Sequence, residues 1–191
     1  ILSGLVGSEM CIRDRLKPGA KVLILGAGAI GPAVAFWARR LGAGAVAITD
    51  LGDWQRERAL HLGATHFLVA DEVVPGRVEQ SLGGPADIVF ECVGRPGLIA
   101  QAIDQVRPRG TVVVLGLCTV ADSFMPFQAL SKEVNLVMSA FFNMDEFCAA
   151  VDVLAGPHAG PLTMVSETVT LADMPQACLL YTSDAADDSL R

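Results

Sequence analysis

Short runs of β-branched and other apolar residues alternate along this chain with segments in which apolar positions recur every three to four residues. Such alternation is typical of parallel strands joined by crossover helices. The sequence therefore predicts an α/β fold with a doubly wound, parallel six-stranded sheet and helices on both faces. The strands are predicted at residues 21–25, 45–49, 67–69, 88–90, 111–115 and 134–140.

Helical periodicity is clearest after the first strand. Apolar positions 30, 33, 34, 37, 38 and 41 fall on one helical face, and Gly42 is the residue type that commonly ends a helix. Further helices are predicted at residues 53–62, 98–106 and around 147–154, whereas residues 74–82 are interpreted as a polar connection. Residues 168–170 are interpreted as a strand that leaves this sheet.

Composition and charge narrow the class of protein. The 191 residues are 52% hydrophobic and 18% charged, which suits one globular domain with a full core. The formal net charge of -7, with no block among the 14 basic residues, argues against a nucleic-acid partner. No apolar stretch reaches the roughly 20 residues that span a bilayer, so we expect a cytoplasmic protein without membrane association.

Cysteine and histidine spacing indicates neither a metal site nor a nucleophile. The five cysteines contain no C-x-x-C pair, which favours reduced thiols over disulfides and over a local zinc site. Cys92 and Cys118 follow predicted strands and are interpreted as small buried hydrophobes. His61, His66 and His158 are scattered without an H-x-x-x-H or H-E pairing. We therefore expect no catalytic and no metal-binding residue in this chain.

The two ends lack the periodicity of the rest of the sequence. Residues 7–15 and 178–189 resemble translated sequencing-adapter read-through. We expect residues 1–15 to be a non-native leader and residues 178–191 a non-native tail, and we exclude both from fold reasoning. The segment that naturally precedes Leu16 is then expected to be missing.

A glycine motif follows the first predicted strand directly and opens a helix. In this context Gly26-Ala-Gly28-Ala-Ile-Gly31 is the G-x-G-x-x-G fingerprint of a Rossmann fold. Gly26 allows the tight turn, Gly28 lets the backbone approach a pyrophosphate, and Gly31 lets helix and strand pack closely. The pyrophosphate would lie on the helix N-terminus. The alternative is a glycine-rich turn without a ligand.

An acidic residue ends the second predicted strand, about 20 residues beyond the last glycine. Asp50 can accept hydrogen bonds from the hydroxyls of an adenosine ribose, and its charge would repel the 2′-phosphate of NADP. This predicts NAD as the cofactor; the alternative is an exposed acid in a turn. Arg56 and Arg58 follow, and either contact the adenine edge or form a solvated helix face.

Several motifs in fixed order resemble the cofactor domain of the medium-chain, zinc-containing alcohol and polyol dehydrogenases over residues 16–177. They are Leu16-Lys-Pro-Gly19, the glycine loop with its preceding strand, Thr49-Asp-Leu51, Leu62-Gly-Ala64, Phe90-Glu-Cys-Val-Gly94 and the stretch 107–116. The resemblance implies that Val93 contacts the nucleotide and that the backbones of Leu117 and Phe142 face the nicotinamide. It also implies that Ile30 packs behind the nicotinamide ring.

At two positions the resemblance leaves the role of the residue open. Where the family usually has a basic residue about five positions after the ribose acid, this sequence has Gln55, which leaves the adenine-side contact open. Glu91 also occurs in relatives, but the sequence suggests no chemical role for it.

The resemblance implies an NAD-dependent oxidoreductase in which zinc lowers the pKa of a bound alcohol before hydride passes to the nicotinamide. Family members carry the zinc ligands in a lobe that precedes the stretch beginning at Leu16, so zinc is expected only in the full-length protein. We expect residues 16–165 to be the NAD-binding domain and residues 166–177 to begin the return to the catalytic lobe. The chain alone is expected to bind NAD and to turn over no alcohol.

Two other functions stay open. One is a zinc-free, NADP-dependent quinone or enone reductase, against which Asp50 counts; the other is a stand-alone nucleotide-sensing module with natural ends at Leu16 and Ala177. The resemblance also implies a homodimer or homotetramer. We expect the apolar strand at residues 134–142 to lie at the sheet edge, where pairing between copies would protect it.

Overall fold

A sheet of six parallel strands organises the part of the chain that the computed structural model describes, which is residues 16–156, 160–165 and 168–179. The strand order is β3-β2-β1-β4-β5-β6, with every neighbouring pair parallel. This order confirms the predicted doubly wound Rossmann sheet. The strands are β1 (Lys21–Leu25), β2 (Ala45–Asp50), β3 (His66–Val69), β4 (Ala86–Glu91), β5 (Val106–Val114) and β6 (Asn135–Met138).

Helices cover both faces of the sheet. They are α1 (Ile30–Arg40), α2 (Arg56–His61), α3 (Pro75–Leu82), α4 (Leu98–Gln105), α5 (Pro126–Ser131) and α6 (Met144–Ala155). Helices α1, α2 and α6 contribute to the core that contains Ile24 and Phe90, while α3 and α4 contribute to the core that contains Leu23 and Leu25. Successive residues of β1 thus enter opposite cores, which explains its uninterrupted apolar sequence. Among the described residues, no helix is long and apolar enough to cross a bilayer.

Two of these six helices were not predicted from the sequence. Residues 75–82, interpreted as a polar connection, form α3, because Val78 and Leu82 lie one turn apart and are both buried against the sheet. The second is α5, a six-residue helix without a buried residue. Helix α2 begins at Arg56 rather than at residue 53 because residues 53–55 form a turn that precedes it.

The strand predicted at residues 168–170 is wrong: this segment forms no strand in the structure. The Thr170 hydroxyl donates a hydrogen bond of 2.6 Å to the Asp173 carboxylate, and the Asp173 N–H donates to the Thr170 carbonyl at 3.1 Å. These local bonds begin a turn, which is followed by a helix at residues 174–179. That helix includes the first two residues of the predicted tail; residues 1–15 and 180–191 lie outside the described part of the chain.

At the amino edge of the sheet, one carboxylate joins three strands. Asp87 of β4 accepts a hydrogen bond from the Lys21 N–H of β1 at 2.9 Å and from the Arg107 Nε of β5 at 2.6 Å. Burial by itself would raise the pKa of Asp87, but the Lys21 N–H and the Arg107 guanidinium together hold that pKa below its ordinary value. The charged form of Asp87 therefore stabilises the end of the sheet that lies away from the candidate site.

Candidate functional site

An open cleft of about 970 Å³ lies at the carboxyl edge of the sheet, where β1 and β4 are neighbours. The helices that follow these two strands belong to opposite faces, so their outgoing loops separate and leave a crevice between them. The loops after β1, β2 and β4 line this cleft. In open α/β sheets this is the position at which ligands bind.

The three glycines of the loop after β1 occupy the positions that the sequence predicts for them. Gly26 has φ +96°, and a Cβ there would lie 2.5 Å from a methyl group of Val93. A Cβ on Gly31 would overlap the Gly26 carbonyl oxygen, so its absence lets α1 start against the loop. Gly28 lines the cleft, and a Cβ there would meet no protein atom within 4 Å. The backbone at Gly28 is therefore open to a ligand.

Asp50 lies beside this glycine loop at the end of β2. Its Oδ2 accepts a hydrogen bond from the Ala27 N–H at 3.2 Å, and its Oδ1 accepts one from the Leu51 N–H at 2.7 Å. A carboxylate has about four acceptor positions, so Asp50 keeps acceptor capacity toward the cleft that it lines. The acid and the loop are thus held together as one binding surface.

A buried carboxylate shapes the opposite wall. Glu91 at the end of β4 is 1% exposed, and its Oε1 accepts hydrogen bonds of 2.8 Å from the N–H groups of Val93 and Gly94. Its backbone carbonyl also accepts from the N–H groups of Leu115 and Gly116. Glu91 therefore fixes the loops after both β4 and β5, a role that the sequence did not suggest. The available signal was an acid that directly follows the apolar run at residues 88–90.

The loops after β4 and β5 are in direct backbone contact. A Cβ on Gly94 would lie 2.6 Å from the backbone of Leu117, and a Cβ on Gly116 would overlap the Gly94 N–H. Val93 is 42% exposed and lines the cleft. Leu117 is 85% exposed and lies beyond the cleft lining, one residue after the contact between the glycines. The structure therefore places Val93 in the cleft and Leu117 beside it.

The last two predicted positions lie outside the cleft lining. Ile30, at the start of α1, is partly buried against the core on the α1 face. Phe142, in the segment after β6, is 45% exposed and stacks on Phe147 of α6 with ring centroids 6.1 Å apart. The structure thus brings Gly26, Gly28, Asp50 and Val93 around one cleft, with Gly31 behind the loop, and leaves Ile30, Leu117 and Phe142 outside the cleft lining.

The segment after Asp50 contributes side chains that sequence reasoning did not assign. Trp54 and Gln55 line the cleft, whereas the Arg56 guanidinium lies over the Phe67 ring at 4.9 Å and donates to the Phe67 carbonyl at 3.3 Å. Arg56 is thereby held against β3 rather than in the cleft. Arg95, after β4, is a cation that does line the cleft.

The chemical groups around the cleft are those of a binding site. Backbone N–H groups at a helix start, a carboxylate and apolar walls suit a ligand with an anionic group, hydroxyls and planar rings. Within the described ranges, no three His, Cys, Asp or Glu residues are grouped so that they could hold a metal ion. His61 and His66 do not line the cleft, and His158 lies outside the described residues.

Comparison with known proteins identifies sequences and structures that are similar to this chain. The zinc-binding dehydrogenase family model matches residues 29–156. The chain is 30% identical to sorbitol dehydrogenase from Macaca fascicularis over 87% of its length and 47% of the relative. Among solved structures, alcohol dehydrogenase TADH from Thermus sp. ATN1 gives a TM-score of 0.83 at 27% identity, covering 97% of this chain and 54% of that one.

A second similar structure contains a nucleotide. A protein assigned as a zinc-binding dehydrogenase from Sinorhizobium meliloti 1021, bound to NADP, gives a TM-score of 0.71 at 25% identity and covers 87% of this chain and 48% of that one. The chain spans about half the length of the curated relatives that it matches.

Proposed function

Because this chain is a member of the zinc-binding dehydrogenase family, we propose that its cleft binds NAD and that the whole protein is an NAD-dependent oxidoreductase acting on an alcohol or polyol. One observation carries the proposal: the Asp50 carboxylate is hydrogen-bonded to the Ala27 N–H of the glycine loop. That bond holds a carboxylate that could accept hydrogen bonds from a ribose beside a loop that could bind phosphate, at the switch point of the sheet.

The described residues fit this cofactor. The open backbone at Gly28 and the start of α1 would hold the pyrophosphate, and Asp50 would accept hydrogen bonds from the adenosine ribose. Val93 would contact the nucleotide, while the backbones of Leu117 and Phe142, after β5 and β6, would hold the nicotinamide with Ile30 behind the ring. Bound NAD supplies a nicotinamide carbon that accepts hydride from the alcohol.

Preference for NAD over NADP follows from the charge of Asp50. A carboxylate close to the 2′ position would repel the extra phosphate of NADP in a poorly screened site. In calorimetry with the full chain, we expect NADH to bind at least about tenfold more tightly than NADPH, a difference of about 1.4 kcal/mol. Asp50→Asn should narrow this ratio, while Glu57→Gln, which removes an exposed acid outside the cleft, should leave it unchanged.

A zinc-free, NADP-dependent quinone or enone reductase is the second candidate. The observation in its favour is Arg95 in the cleft lining, since a guanidinium can pair with a 2′-phosphate. Tighter binding of NADPH than of NADH, lost on Arg95→Gln, would select this candidate. Failure of the wild-type chain to bind either nucleotide would contradict both.

We further propose that residues 16–165 form the cofactor domain. We assign no zinc-dependent step to the described residues, among which no three His, Cys, Asp or Glu residues are grouped so that they could hold a metal ion. We also propose a cytoplasmic location, because the spacing of the five cysteines, without a C-x-x-C pair, favours reduced thiols over disulfides.

A further inference from the structure

The indole of Trp54 is an exposed aromatic side chain in the cleft lining. It is 64% exposed, lines the cleft four residues after Asp50, and precedes α2. The other tryptophan, Trp37, is 3% exposed in the core, where such side chains gain most from burial. An exposed indole at the rim of a binding cleft is available to a ligand.

The indole of Trp54 lies against the backbone at Gly52. A Cβ on Gly52 would overlap ring atoms of Trp54, so the six-membered part of the indole occupies the space that a side chain at position 52 would fill. Gly52 is absent from the residues with positive φ, so the backbone itself does not require glycine here. The missing side chain at position 52 therefore leaves room for the indole to lie against the backbone near Asp50.

Apart from Asp50, the cleft-lining residues at the end of β2 and in the loop after it carry no charge, and the cleft-lining cation Arg95 follows β4. Gln55 lines the cleft at this end, and Arg56 is held against Phe67 of β3. The remaining large side chain here is that of Leu51, which is apolar and 58% exposed. A ligand that lies next to Asp50 on this side is therefore met by apolar and aromatic surface.

We infer that Trp54 contributes affinity for the base of the cofactor, by stacking its indole on the adenine next to the ribose that Asp50 would bind. The inference rests on the proposed function and adds to it the surface that recognises the adenine ring. Stacking of a base on an aromatic side chain is sequence-tolerant among bases but requires a planar π-surface. Trp54 would thus hold the adenosine half of the cofactor and leave the nicotinamide half to the loops after β5 and β6.

The test measures binding of the two halves of the cofactor as separate ligands. Using the full chain, calorimetry would measure binding of NADH, AMP and nicotinamide mononucleotide to the wild type, Trp54→Ala and Trp54→Phe. We expect Trp54→Ala to weaken AMP and NADH on the order of tenfold and to leave nicotinamide mononucleotide unchanged, with Trp54→Phe retaining most of the affinity. Leu130→Ala is the matched control, because Leu130 is 73% exposed and does not line the cleft.

Tryptophan fluorescence of the wild type provides a second readout that needs no variant. AMP should quench the exposed Trp54 and leave the buried Trp37 unaffected, so the quenched fraction should disappear in Trp54→Phe. If NADH binds the wild type but Trp54→Ala binds AMP equally well, or AMP leaves the emission unchanged, the inference fails and the proposed function stands. If the wild type binds none of these nucleotides, both fail.

Discussion

At the scale of single residues, the glycines of the loop after β1 serve different physical purposes. Gly26 adopts a positive φ, and Gly31 allows contact between α1 and the Gly26 carbonyl. Gly28 has no positive φ and no protein neighbour that a Cβ would meet, so neither backbone conformation nor packing requires glycine there. These observations are consistent with the proposal that a ligand approaches the backbone closely at position 28.

This difference predicts opposite outcomes for two alanine variants. Gly31→Ala should destabilise the fold by about 1 to 3 kcal/mol, because the new methyl group overlaps the Gly26 carbonyl. Gly28→Ala should leave the stability within about 1 kcal/mol but weaken NADH on the order of tenfold. Urea unfolding and calorimetry would measure the two effects.

Gly76→Ala serves as the control for both variants. Gly76 lies in α3, where a Cβ meets no atom within 4 Å, so the change should stabilise the helix slightly and leave NADH binding unaltered. Unchanged NADH affinity in Gly28→Ala would remove the reason for placing a pyrophosphate at this loop.

Glu91 leads to a prediction about loop geometry. Glu91→Ala should lower the free energy of unfolding by about 2 to 4 kcal/mol, because it leaves two N–H groups without their acceptor and opens a buried cavity. Glu91→Gln keeps an acceptor oxygen and should cost about 1 kcal/mol. Urea denaturation of the three proteins tests this, and equal stability of the wild type and Glu91→Ala would contradict the assigned role.

At the scale of elements, α5 shows how a short helix without a buried residue is held. The Lys132 ammonium, directly after α5, donates hydrogen bonds to the carbonyls of Ile103, Asp104 and Val106 at 2.9, 2.6 and 3.1 Å. These carbonyls lie at the end of α4, where cations are favoured by the helix dipole. The end of one helix therefore positions the next, through a contact between residues that are far apart in sequence.

The Asp87 cluster predicts how the sheet responds to acid. The pKa of Asp87 is lower in the folded chain than in the unfolded one, so its contribution to stability is complete above about pH 4 and is lost as the pH falls through the folded pKa. Asp87→Asn should therefore lower stability at neutral pH, by at most about 1 kcal/mol since both partners are partly exposed. Urea midpoints should converge for the two proteins as the pH falls below 4; a constant difference would contradict this.

At the scale of the whole molecule, the strand order decides where the cleft forms and which strand is left at an edge. Placing β1 beside β4 separates the loops that follow them, and the cleft lies between those loops. The same order leaves β6 as an edge strand, as predicted, with Met138 at its end 63% exposed. An apolar edge strand offers unpaired backbone groups to another copy of the chain.

We therefore expect the chain to dimerise through β6. A charge on the edge opposes such pairing, so Met138→Lys should shift the equilibrium toward monomer in light scattering. Met125→Lys is the matched control, because Met125 is also 63% exposed but lies in the segment before α5. A wild-type chain that is monomeric at high concentration would contradict the expectation.

The sequence by itself determined the features that depend on local pattern. Strand positions, the G-x-G-x-x-G loop and the offset of Asp50 follow from hydrophobic periodicity and short spacing, because neighbouring residues share one backbone path. The structure places Gly26, Gly28, Asp50 and Val93 around one cleft, and their binding of a nucleotide stays a prediction.

The tertiary structure alone decided the features that depend on contacts between distant segments. Glu91 joins the loops of two strands, Lys132 caps a helix that ends more than 20 residues earlier, and Arg56 is held by Phe67 of the next strand. Each contact forms because the sheet brings remote segments together. A local pattern of polar and apolar residues does not show which remote segments will be in contact. For the same reason, the sequence did not reveal Trp54 at the rim of the cleft, where only the folded chain places it beside Asp50.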